Sequence, residues 1–202
     1  MKRRHKANML PLLLLFSHAA HAVQQTTGID AQAKLPYWQV SDNAMSLRLV
    51  QRLPVQSRAF FMARGFSQRQ VERIAQSCIF QTVFKNISHL SNPSVLEYDL
   101  RDWRVISQDK RVKMKLREDW DYELRKSGVG TSQRLAFEWS MYPTQQKYKP
   151  GDYNWGMSDF NLKPGTHFDL QLKWHQSGKD HQTTIKNMQC APDINPQSGD
   201  EI

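Results

Sequence analysis

The chain has 202 residues, with 28 Lys plus Arg against 19 Asp plus Glu, two cysteines, 39% hydrophobic residues and 10% aromatic residues. Apolar and aromatic content at this level excludes wholesale disorder, and two cysteines are too few for a disulfide scaffold or a zinc cluster. One globular domain, spanning 45–192, is the expectation.

Lys2, Arg3, Arg4 and Lys6 precede an apolar run from Met9 to Phe16, and small residues follow, ending Ala20-His21-Ala22. A basic start, a short apolar segment and a small-residue end are the pattern of a secretory signal peptide, cleaved after Ala22. The run is too short to span a bilayer, and no later segment approaches the ~18 uninterrupted apolar residues of a membrane helix. The expectation is a periplasmic or secreted protein with no transmembrane anchor after cleavage. Loss of the four basic leader residues takes the formal charge from +9 to +5. An exported, mildly basic protein is expected to meet anionic envelope polymers, lipid head groups or acidic protein partners rather than nucleic acid.

Residues 23–44 are polar, including Gln24, Gln25, Thr26, Thr27 and Gly28, and read as a flexible lead-in. A helical pair follows. The first helix covers Ser57 to Arg64 and ends at Gly65. The second begins at Ser67, where Ser67 and Gln70 form a capping box and Phe66 with Val71 a hydrophobic staple. Val71, Ile74, Ala75 and Cys78 recur at helical spacing, which turns Cys78 toward the core. Export carries Cys78 and Cys190 to an oxidising compartment, so a structural disulfide is expected between them. Short Cys-x-x-Cys spacing, the usual mark of a redox pair, is absent.

From Ile79 the hydrophobic period shifts to two. Ile79 to Ile87 reads as one strand, and Leu96, Tyr98 and Leu100, extended by Trp103, Val105 and Ile106, as a second. Val112, Met114 and Leu116 alternate with Lys110, Arg111, Lys113, Lys115 and Arg117, which predicts a third strand with a basic solvent face. Glu118, Asp119 and Asp121 at one end and Arg125, Lys126 and Gly128 at the other frame a short helix. Leu135, Phe137, Trp139 and Met141 alternate with polar neighbours and predict a strand with an aromatic inner face. Trp155 to Leu162, Phe168 to Trp174, and Thr183 to Cys190 read as further strands, separated by turns at 149–152, 163–166 and 177–180. The tail from 193 to 202 reads as disordered. The fold class is α+β and mainly β: an antiparallel β-sandwich or partly open barrel with a short N-terminal helical pair.

The catalytic templates find little. There is no Gly-x-Ser-x-Gly, His-Glu-x-x-His, phosphate loop or dinucleotide fingerprint, and the mature chain keeps four histidines: His89, His167, His175 and His181. Asp99 with Asp102, or Asp119 with Asp121, are the nearest approach to paired carboxylates. Two other candidates stand out. Asp152, Tyr153, Asn154 and Trp155, between Gly151 and Gly156, form a compact aromatic and polar segment suited to a partner or ligand. His175 and His181 are expected opposite each other across the base of a hairpin, with Met157 and Met188 in neighbouring segments, a donor set suited to copper or zinc. Leader, β-rich body and scattered Met and His resemble small envelope proteins that deliver copper to respiratory oxidases or resist copper stress, without the short His and Met spacings of such carriers. The residues themselves favour a non-enzymatic exported protein that binds an envelope protein partner. A metal-binding accessory role is the second reading, and an enzyme the third.

Overall fold

The computed structural model describes residues 23–194; the expected leader, 1–22, and the tail residues 195–202 lie outside the described residues. The chain opens with strands β1 (Gln24–Ile29), β2 (Pro36–Ser41) and β3 (Met45–Gln51), then helices α1 (Pro54–Met62) and α2 (Gln68–Ala75). Strands β4 (Ile79–Asn86), β5 (Leu96–Asp99), β6 (Arg104–Ser107) and β7 (Lys110–Val112) follow, then α3 (Arg117–Lys126) and α4 (Thr131–Ser140). The last four strands are β8 (Gln145–Tyr148), β9 (Tyr153–Asp159), β10 (His167–Gln176) and β11 (Lys179–Gln189). The protein is mainly β. One antiparallel sheet has the order β1-β2-β3-β4-β9; the other runs β7-β6-β10-β5-β8, with β11 also paired to β10.

The two sheets share one apolar core. Alternation puts Leu47, Leu49, Phe80 and Phe84 on the inner face of the first sheet, where they meet Leu96, Tyr98, Leu170, Leu172 and Trp174 of the second. The other face of the first sheet is roofed over part of its area by the helices. Phe61, Val71, Ile74, Trp120 and Phe137 form a second core with Met157 of β9. Burial of about 25 cal/mol per Å² of apolar surface makes these two clusters the main source of stability.

Several expectations change in three dimensions. Residues 24–29 and 36–41, read as a flexible lead-in, are paired strands in continuous register, with Trp38 and Val40 buried against the core. Their polar composition reflects the exposed β1, whose hydrogen-bonded ladder to β2 holds it in place without a buried face. The helical pair forms, with the Ser67 N–H donating to Gln70 Oε1 at 2.8 Å, but it follows three strands and so is not N-terminal. The segment 135–141 is helical, not a strand. Gly130 precedes α4, the run Gln133 to Glu138 holds no β-branched residue, and Phe137 with Met141 at i and i+4 are the residues buried. The second expected strand is broken by a 3-10 turn at Leu100–Asp102, and β5 and β6 pair with different parts of β10. Asp193, placed in the disordered tail, is gripped by Arg58 of α1, whose Nη1 and Nη2 donate to its two oxygens at 2.8 and 2.6 Å.

Cys78 and Cys190 are joined. The bond ties the start of β4 in the first sheet to the end of β11 in the second across 112 residues of sequence, and the Gln51 amide donates to the Gln189 carbonyl beside it at 2.6 Å. A loop of that length restricts the unfolded chain by about 4–5 kcal/mol. A Cys78→Ser/Cys190→Ser protein should therefore lose roughly that much stability in urea unfolding; an unchanged midpoint would mean the sheets hold together without the crosslink.

Candidate functional site

Strand β9 places two predicted site residues at the surface. Tyr153 and Trp155 lie on its outer face and are 59% and 67% exposed, whereas Met157, on the same face, is buried beneath the helices. Trp155 thus stands where the helical roof stops. Asn154 points to the opposite face, and Asp152 is spent on the turn before β9, where its Oδ2 accepts from the Lys149 N–H at 2.8 Å. Lys85, opposite Tyr153 on β4, lies 5.7 Å over the Tyr153 ring.

Beside Trp155 a groove of about 280 Å³ runs between the sheet and the helices, lined chiefly by Arg52, Phe60, Arg64, Trp139 and Trp155. Trp139, on the outward side of α4, is 78% exposed. On the opposite wall the Arg64 guanidinium sits 3.3 Å over the Phe60 ring and that of Arg52 at 5.0 Å. Both arginines donate only to uncharged oxygens among the described residues: Arg52 to Ser57 Oγ and the Gln56 carbonyl, Arg64 to the Phe60 carbonyl. Burial, and then the positive Arg64, press the Arg52 pKa below its usual value. Two crowded cations without a carboxylate, between two exposed indoles, form a surface suited to an anionic, partly apolar ligand.

This geometry depends on Gly156. A Cβ there would come within 2.7 Å of the Tyr142 nitrogen and 2.9 Å of the Met141 carbonyl carbon, because the chain leaving α4 crosses β9 at this point and the Tyr142 N–H donates to the Met157 carbonyl at 2.7 Å. Glycine is needed for the approach of the backbones.

Of the residues lining this groove, Trp155 is a candidate in the sequence, whereas Arg52, Phe60, Arg64 and Trp139 are not. Trp139 was hidden by reading α4 as a strand, which turns its indole inward. The i, i+4 pair Phe137 and Met141 was the signal that points it outward. Nothing in the sequence joins Arg52 and Arg64 to Trp155.

The four expected metal donors are not brought together. Ser177 and Gly178, both at positive φ, close a two-residue turn, so His175 pairs with Asp180 and His181 with Trp174. Adjacent pairs point to opposite faces, which corrects the expectation that the two imidazoles face each other. His175 Nδ1 lies 2.9 Å from Asp180 Oδ1, and His181 stacks on Trp174 with ring centres 5.4 Å apart. Met157 is in the helical core and Met188 in the inter-sheet core. Among the described residues no group of three or more His, Cys, Asp or Glu is arranged to hold a metal ion.

A larger cleft of about 970 Å³ borders His175 on the second sheet, with Glu97, Asp99, Lys147 and Asp180 in its lining. Two of its charges are matched, Lys147 to Glu97 at 2.7 Å and Arg101 to Asp99 at 2.5 Å, while Asp102 and Lys173, also in its lining, form no salt bridge among the described residues. Of the other proposed carboxylates, Asp119 accepts from the Leu116 N–H and Asp121 pairs with Arg125 and Arg134. The basic run from Lys110 to Arg117 does not form one stripe, since β7 ends at Val112 and Lys115 turns inward, its Nζ 3.5 Å over the Trp120 ring and 2.8 Å from Glu123.

Asp159 at the end of β9 has no solvent exposure. Its Oδ2 accepts from Trp120 Nε1 at 2.9 Å and its Oδ1 from the Asn161 N–H at 2.8 Å, linking α3 to the sheet. Burial outweighs these bonds and the nearby Lys115 and raises its pKa to about 6.

The chain matches no family model, no curated protein and no solved structure.

Two stability measurements check the architecture around β9. The raised Asp159 pKa means protonation favours the folded state, so this contribution is full below the unfolded value of 3.8 and is lost as pH rises through about 6. Relative to Asp159→Asn, the wild type should lose about 2–3 kcal/mol between pH 4 and pH 7; a pH-independent difference would place the carboxyl in water. Gly156→Ala should cost about 1–3 kcal/mol by overpacking, with a change in tryptophan emission as the end of α4 shifts. Full stability with unaltered emission would show that the crossing relaxes freely.

Proposed function

We propose that the protein is an exported, periplasmic β-sandwich without a catalytic role, which binds a protein partner at the Trp139–Trp155 groove and thereby assists an envelope complex. Export is supported by the basic, apolar and small-residue order of 1–22 and by the joined cysteines, a bond that persists in oxidising compartments. Among the described residues no helix is long and apolar enough to cross a membrane.

The observation that carries the reading is the pair of exposed tryptophans across a groove whose two arginines have no acidic partner among the described residues. Trp, Tyr and Arg are the residues that dominate binding energy at protein interfaces, because they bury large areas at small entropic cost and keep a polar handle. Charge complementarity specifies the occupant as an acidic segment of the partner, whose carboxylates take the places left open on Arg52 and Arg64.

A photo-crosslinking residue in place of Val83, which pairs with Trp155 across β4 and β9, tests this in intact cells with residue-level mapping of the product. The expected product is one partner joined through an acidic segment, lost when those acids are replaced by serine. With the purified partner, Trp139→Ala/Trp155→Ala should weaken binding about 30-fold, as loss of about 2 kcal/mol at a binding centre implies, at an unchanged unfolding midpoint. Crosslinks to glycan or lipid, or a double variant that binds normally, would refute the site.

A further inference from the structure

The edge of β9 carries an inference that rests on the groove reading and specifies how the partner binds. In an antiparallel ladder the N–H and C=O of one residue point to the same side, and successive residues alternate. The Met157 carbonyl accepts from the Tyr142 N–H and the Asp159 carbonyl from the Lys115 N–H, so residues of this parity face away from β4. The register of β9 with β4 is continuous from Tyr153 to Asp159, so Tyr153 and Trp155 also direct their backbone groups outward. Strand β9 is the last in its sheet, and among the described residues nothing hydrogen-bonds to those groups.

The two ends of this edge are treated differently. Its upper half is capped by the chain at 142 and 115, and its lower half is open beside the two most exposed aromatics of the strand. At the opposite edge of the sheet the Gln25 side-chain amide of β1 donates to the Thr184 carbonyl of β11 at 2.9 Å. An open edge invites another strand.

We propose that the partner's acidic segment binds in extended form as an added strand on Tyr153–Trp155 of β9. Its backbone pairs with the outward N–H and C=O groups of Tyr153 and Trp155. Side chains on its outer face lie beside Trp155 at the mouth of the groove, where Arg52 and Arg64 receive its carboxylates. The backbone gives affinity and the groove gives selectivity, the division of labour usual in strand addition. The alternating, regularly spaced donors and acceptors of a strand edge match the spacing of a second polypeptide backbone, which favours a protein over a glycan.

The probe is a displayed library of random decapeptides, selected on the disulfide-intact mature protein. Recovered peptides should be rich in Asp and Glu and lose at least tenfold in affinity to an Arg52→Gln/Arg64→Ala protein of unchanged unfolding midpoint. N-methylation at peptide positions of one parity should lower affinity at least tenfold, with little effect at the other. Hydrogen exchange of the Tyr153 and Trp155 amides should slow at least tenfold on binding. Peptides that bind in the groove without parity dependence or amide protection would overturn strand addition and leave the groove reading standing. Failure to recover any peptide, with binding of a muramyl glycan or a second copy of the chain instead, would overturn both.

Discussion

The crossing of the chain over β9 is the contact on which the rest of the molecule depends. The segment after α4 passes close enough to Gly156 for the Tyr142 N–H to bond the Met157 carbonyl, and that single approach fixes three things. It brings Met157 under the helices, it carries Tyr142 into the inter-sheet core, and it ends the helical roof just short of Trp155. Tyr142 then bonds Tyr148 at 2.9 Å within an aromatic cluster that includes Tyr98 and Phe84. The two cores are joined at this point. A buried Asp159 two residues further on ties α3 to the same strand and costs stability when ionised.

The groove follows from incomplete coverage. A sheet face roofed along its whole length would bury Trp155, and one left bare would disperse Trp139, Arg52 and Arg64 over separate surfaces. Because α1 and α4 end at the border, their last turns meet β9 around the groove. The cations on that border lack the carboxylate partners that Lys147 and Arg101 find in Glu97 and Asp99 at the larger cleft on the second sheet. Unmatched cationic charge beside exposed aromatic area, rather than size, is what supports the smaller groove as the proposed binding surface.

Much of the β framework was legible because burial on one face imposes a period of two, and because Gly151, Gly165 and Gly178 supply the positive φ angles their turns need. The α4 segment misled because seven residues of alternating polarity satisfy a strand pattern and a helix pattern about equally well; the lack of β-branched residues favoured the helix. The hairpin register differs by one step, since setting His175 opposite His181 needs a five-residue loop over 176–180 whereas the turn has two residues, and parity decides which side chains share a face. That step separates His175 from His181.

The sequence by itself determined the leader pattern, the cysteine pair, the mainly β character and the prominence of Tyr153 and Trp155, because each is written in local composition or short-range period. The groove was decided only by tertiary structure. Its residues come from the end of β3, from α1, from α4 and from β9, more than 100 positions apart between Arg52 and Trp155. Exposure of the two tryptophans depends on where packing stops, and the freedom of the two arginines on which acids lie elsewhere. Neither is a property of any local stretch of chain; both arise when distant segments are brought together around a shared core.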